Sequence, residues 1–97
     1  MEALMARYQA GDAKAFEALY RGVAPQLRRE LLASGSDASQ VDQLVEETFR
    51  QIHRARRTYN PRRPFLPWAH AIATHVLLAN RARAARLELS VSFRKAV

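Results

Sequence analysis

Apolar residues recur at helical spacing through most of this chain. Leu4, Met5 and Tyr8 predict a first short amphipathic helix, which Gly11 closes. Asp12 is a good N-cap for a second helix. In that helix Phe16, Leu19, Tyr20, Val23, Leu27 and Leu31 keep the three-and-four spacing of one buried face. Pro25 falls inside the pattern. It removes one hydrogen bond to the carbonyl of Arg21, so a kink is expected rather than a stop. Ser34-Gly35-Ser36-Asp37 interrupts the pattern, and Asp37 with Gln40 has capping-box spacing. A third helix then carries Val41, Leu44, Val45, Thr48, Phe49 and Ile52 on one face, with Tyr59 expected to extend it. Asn60-Pro61 to Pro64 is the second interruption. Pro64 or Pro67 opens a last helix, where proline in the first turn costs little. Its inner face is expected to use Phe65, Trp68, Ile72, Val76 and Ala79, and a run to about Leu87 makes it roughly 30 Å long. The segment ELSVSFRKAV has no strong period and reads as a tail or the start of a linker.

These elements predict an all-α fold, a compact bundle of about four helices over residues 1–87, followed by a tail over 88–97. Valine, isoleucine and threonine are sparse, which agrees with helix. A chain of 97 residues is one domain with one modest core. There is no cysteine, hence no disulfide and no thiolate metal site. That fits a reducing cytoplasm, and a cytoplasmic location is expected. No basic region followed by an apolar run opens the chain, and no apolar run approaches membrane-spanning length, so neither a signal peptide nor membrane insertion is expected.

Charge changes the picture. Residues 1–47 hold five Lys/Arg and eight acids, a net −3, whereas residues 48–97 hold eleven Lys/Arg and the single acid Glu88, a net +10. A polyanion is the natural partner of the second half. Three stretches then stand out. Asp42, Gln43, Glu46 and Glu47 form a polar strip beside the buried face of the third helix. The loop TYNPRRPFLP sets Arg62 and Arg63, suited to phosphate, among prolines that stiffen the backbone. The last helix carries His75, Asn80, Arg81 and Arg83, with Arg86 beyond. Arginine reads guanine edges and asparagine adenine edges, although most such contacts go to phosphate.

In order and spacing, four segments resemble region 2 of a bacterial sigma-70 family sigma factor of the extracytoplasmic-function (ECF) group: LMARYQAGDAKAFEALYRGVAPQLRRELL, QLVEETF, YNPRRPFLPWAHAIA and the arginine-rich helix end after them. The resemblance covers residues 3 to 87. It implies that the strip of Asp42, Gln43, Glu46 and Glu47 docks on the clamp coiled-coil of core RNA polymerase through charge-assisted hydrogen bonds. It also implies that Tyr59, Asn60, Arg62, Arg63 and Phe65 take part in capturing unstacked bases of the non-template −10 strand of promoter DNA, an aromatic stack contributing about 1–3 kcal/mol per base. Tyr59 and Phe65 are alternatively core residues, and Trp68 is read as core. His75, Asn80, Arg81, Arg83 and Arg86 are implied to meet the duplex at −12, with Arg54, Arg56 and Arg57 adding nonspecific attraction.

Family members commonly show Asp-Leu-x-Gln-Glu where this chain has Gln43-Leu44-Val45-Glu46-Glu47, so a charge is lost at 43 and gained at 46. Where many members have Ala-Arg-Asn and then Asp-Arg, it has Ala73-Thr74-His75 and Ala79-Asn80. A complete sigma factor of the group adds a second helical domain for the −35 element. The chain reads either as an excised fragment or as a stand-alone region 2. The rival readings are an interaction module that binds an anti-sigma factor, or polymerase, without recognising a promoter, and a generic basic coat for nucleic acid. No cofactor is implied. His53, His70 and His75 share no metal-ligand spacing, and no nucleophile, acid–base pair or glycine-rich phosphate loop indicates an enzyme.

Overall fold

The turns between the first three helices are built alike. In the computed structural model, which describes residues 1–96, helix α1 spans Glu2–Gln9 and α2 spans Ala13–Ala33. Between them Gly11 adopts φ +101°. Its N–H donates to the carbonyl of Tyr8 at 3.0 Å, and that of Asp12 to the carbonyl of Arg7 at 3.0 Å. After α2, Gly35 (φ +90°) does the same, with Gly35 N–H on Leu32 O at 3.1 Å and Ser36 N–H on Leu31 O at 3.1 Å. Both are Schellman closures, in which a left-handed residue lets two orphan carbonyls find donors; glycine takes that backbone without a Cβ penalty. Each turn then meets an aspartate N-cap. Asp12 accepts from the N–H of Lys14 and Ala15 at 3.0 and 3.3 Å, and Asp37 from that of Ser39 at 3.1 Å. The reciprocal Gln40 side-chain bond of a capping box is not formed among the described residues.

Helix α2 runs through Pro25 without a break. The proline is exposed on the outer face, where water can satisfy the carbonyl that has lost its donor. Helix α3 spans Ala38–Ala55 and gives way to a 3₁₀ turn at Arg56–Thr58. Tyr59 is therefore extended chain, not the end of α3, yet its ring is buried. Helix α4 spans Phe65–Ala96. At 1.5 Å per residue it is about 48 Å long, which accounts for most of the 56 Å length of the molecule. The chain past Leu87, read from its sequence as aperiodic, is thus helical to Ala96, with Leu89 and Phe93 each 70% exposed. Val97 lies outside the described residues.

One core joins all four helices. Met5 and Tyr8 of α1 and Leu19, Val23, Leu27 and Leu31 of α2 meet Val41, Leu44, Phe49 and Ile52 of α3. The face that α4 turns inward is Phe65, Ala69, Ala73, Val76 and Leu77, with Trp68 and Ile72 half-buried against it. Ala79, expected inside, is exposed. The small Ala69 and Ala73 permit close helix approach, which is why inward positions escape a reading based on large apolar residues alone. Thr48 is fully buried, its hydroxyl donating to the Leu44 carbonyl at 2.7 Å.

Candidate nucleic-acid and protein interface

The loop between α3 and α4 is ordered from beneath. Tyr59 and Phe65 are 3% and 0% exposed. Their rings meet edge-on at 5.7 Å, and Trp68 lies 5.1 Å from Tyr59 and 5.9 Å from Phe65. Of the two roles open to these rings, the structure adopts the core one. Neither presents a face on which a base can stack, because each is covered by the other and by the core. Burial pushes the Tyr59 hydroxyl up from its ordinary pKa, assisted by the charge of Glu2. It therefore stays protonated at neutral pH and donates to the carbonyl of Arg63. Asn60 closes the turn, its Oδ1 accepting from Arg62 N–H at 3.0 Å and its carbonyl from Arg63 N–H at 2.9 Å. The result is a fixed turn that holds Arg62 and Arg63 exposed, with neither in an ion pair among the described residues. Asn60 is exposed but uses its oxygen on the backbone, leaving its amide N–H₂ free to donate.

Helix α1 supplies the far side of this support. Gln9 donates from Nε2 to the carbonyls of Arg56 and Tyr59, both at 2.7 Å. Glu2 accepts the N–H of Phe65 at 3.3 Å, so an α1 carboxylate caps the first turn of α4. The Arg56 guanidinium lies 5.9 Å over the Tyr8 ring. The Tyr8 hydroxyl bonds His53 Nδ1, and burial raises the Tyr8 pKa against the opposing effect of Arg56. Sequence reasoning missed Glu2 and Gln9. Both are single polar residues with no motif around them, and their partners lie 47 to 63 residues away.

The polar strip of α3 divides along two edges. Asp42 pairs with Arg28 of α2. Glu47 is half-buried and held by Arg50 at 2.8 Å and Gln51 at 3.5 Å. The Arg50 hydrogen bond leads the interactions that keep its carboxyl below the usual glutamate range. Glu46 stands exposed between these pairs with no ion-pair partner among the described residues. It borders a groove on the α2 side lined by Phe16, Tyr20, Phe49 and His53. Tyr20, read as core from its spacing, is 38% exposed and rests 4.7 Å from Phe49. Its position at the rim of a wide apolar face was the one available signal that it is partly outside.

On the α4 side, Gln43, Glu46 and Glu47 line a cleft with Asn80 and Arg83. Residues expected to face different partners thus share one wall. Arg81 lies about 200° round the helix from Arg83 and donates to the carbonyl of Ser34, at the end of α2, at 2.6 Å. The late polar residues therefore do not form one face: Asn80 and Arg83 face α3, Arg81 faces α2, and His75 and Arg86 lie exposed on a third stripe. From Phe65 to Arg83 is about 27 Å along α4, or about eight base-pair steps of duplex.

A model of the sigma-70 region 2 family matches residues 19–87. The chain belongs to that family. The region 2 domain is also 33% identical over 79 residues to the "ECF RNA polymerase sigma factor SigF" of Caulobacter vibrioides (strain NA1000 / CB15N), a match over 80% of this chain and 44% of the relative. It spans less than half the length of that relative. No solved structure matches. The all-α region 2 fold read from the sequence is confirmed by the family match and by the helices, with no strand among the described residues. No described helix is long and apolar enough to cross a membrane, and no cluster of metal-ligating side chains occurs among the described residues.

Proposed function

We propose that this region 2 domain serves bacterial transcription initiation by docking on core RNA polymerase and holding the opened −10 strand of promoter DNA. The family match over residues 19–87 carries the assignment. The geometry supports a division of labour within it. The crest of α3 around Gln43 and Glu46, with Asp42 and Glu47 already paired at its edges, offers an unpaired carboxylate beside the exposed Tyr20 ring and meets an arginine-bearing protein helix. The rigid turn presents Arg62 and Arg63 to phosphate, with Asn60 able to donate to a base or sugar. Strand capture works through this turn and not through stacking on Tyr59 or Phe65. His75 and Arg86, with Arg83 at the cleft mouth, extend the cationic track along α4 toward duplex DNA. A few phosphate contacts give weak, salt-sensitive affinity, so tight capture requires polymerase.

The test mixes the protein with core polymerase and a fluorescent non-template −10 oligonucleotide, using a scrambled strand for comparison. The expected result is capture that prefers the −10 strand and requires polymerase. Polymerase binding without strand preference supports instead a sigma-like interaction module, for which an anti-sigma factor is the other candidate partner. Equal binding of both strands without polymerase overturns the assignment in favour of a generic nucleic-acid coat.

A further inference from the structure

The support given by α1 to the strand-binding turn is more than packing. Gln9 is the last residue of α1 and half-buried. Both hydrogens of its carboxamide nitrogen are directed at backbone carbonyls, those of Arg56 and Tyr59, at 2.7 Å each. These carbonyls bracket the segment in which α3 has ended and the chain turns outward. One side chain bonds a carbonyl of the 3₁₀ turn, that of Arg56, and the carbonyl of the extended residue that follows the turn, Tyr59. At the other end of the loop Glu2 accepts the N–H of Phe65. One short helix thus ties both ends of the segment that displays Arg62 and Arg63. The turn's own bonds, Asn60 to Arg62 and buried Tyr59 to Arg63, close the loop around Arg62 and Arg63, and α1 adds a tie at each end.

We infer that Gln9 is a positioning residue for the Arg62–Arg63 turn. Its two bonds hold the turn in the form that receives the strand, so less conformational freedom is lost on binding. This inference rests on the proposed role of the turn in strand capture, but its structural half is measurable without DNA or polymerase.

The test uses the whole chain with three substitutions. Gln9→Met keeps the length of the side chain and removes both donors. Gln9→Lys restores donors at the same reach. Asp37→Ala loses the α3 cap, remote from the loop, and serves as a control for general destabilisation. In the free protein, amide hydrogen exchange at Arg63, whose N–H is bonded to Asn60, is expected to quicken about tenfold in Gln9→Met, the loss of two neutral hydrogen bonds of ordinary net strength. Gln9→Lys is expected to recover most of that protection, and Asp37→Ala to leave Arg63 exchange unchanged while quickening exchange in the first turn of α3. With core polymerase present, Gln9→Met is expected to bind polymerase within twofold of wild type and to capture the −10 strand about tenfold more weakly. Unchanged Arg63 exchange in Gln9→Met overturns the inference. So does quickened exchange accompanied by wild-type strand capture. If the wild-type protein itself captures no strand, the proposed function falls, while the exchange data still decide whether Gln9 positions the turn.

Discussion

Replacing Phe65 with alanine distinguishes a core ring from a ring that meets DNA. Phe65 is among the largest fully buried side chains of the protein, with 0% exposure. It packs against Tyr59 and Trp68 at ring separations of 5.7 and 5.9 Å. Truncation of a buried phenylalanine costs about 3–5 kcal/mol, as lost transfer energy plus the cavity left behind. Small domains of this size are stable by about 5–15 kcal/mol in total, so the substitution removes about a fifth or more of the margin. At about 4–8 °C per kcal/mol for a domain of 60–100 residues, the melting temperature should fall by about 12–40 °C. Far-UV circular dichroism on heating and in urea measures it. A surface ring that only stacks a base changes stability by about 0.5 kcal/mol or less. Phe65→Leu makes the comparison sharper, since it keeps most of the volume and costs about 1–1.5 kcal/mol. If strand capture went through the Phe65 ring, leucine would lose about 1–3 kcal/mol of binding; here it should leave capture close to wild type. A melting shift below about 5 °C for Phe65→Ala, or a large loss of capture in the folded Phe65→Leu protein, refutes the burial argument.

Three further outcomes follow from the same geometry. Arg62→Ala combined with Arg63→Ala should weaken strand capture in the polymerase complex and reduce the salt slope of log affinity by about 1.4, at about 0.7 per single-strand phosphate contact; polymerase affinity should stay unchanged, and a parallel fall in both would dissolve the separation between turn and α3. Arg81→Ala should cost about 1 kcal/mol of stability, a shift of about 4–8 °C, through loss of its bond to the Ser34 carbonyl, with little effect on DNA affinity, whereas Arg83→Ala should do the reverse; thermal melts and fluorescence titrations on the two variants read this directly. Asp12 and Glu47 both have pKa values held below their ordinary values, led by hydrogen bonds from Arg7 and Arg50. Depressed carboxyls mean that the native state binds fewer protons than the unfolded chain. Their contribution is therefore complete above the ordinary values of 3.8 and 4.5 and is lost as the pH falls through the native values. Urea midpoints at pH 7, 5 and 3 should show Asp12→Asn less stable than wild type at pH 7 and 5 and converging with it at the acid end.

Local rules carried the secondary structure. Apolar spacing marks which side of α2 and α3 turns inward, because side chains three and four residues apart share a helix face. Gly11, Asp12, Gly35 and Asp37 mark the turns, because a positive φ and an orphan N–H are satisfied within a few residues of chain. The opposite charges of the two halves are countable, and the motif order in LMARYQAGD through YNPRRPFLPW was enough for the family. Tertiary structure decided the rest. Whether Tyr59 and Phe65 face a base or the core depends on α1 and Trp68 closing over them. Whether Arg81 meets DNA depends on the Ser34 carbonyl lying within its reach, 47 residues earlier. Gln9 and Glu2 acquire their roles only when α1 is laid beside the loop, 50 and 63 residues away. Periodicity and caps are interactions within one turn of helix and can be read along a line of residues; these pairings exist only once the helices have packed, and no spacing along the chain encodes them.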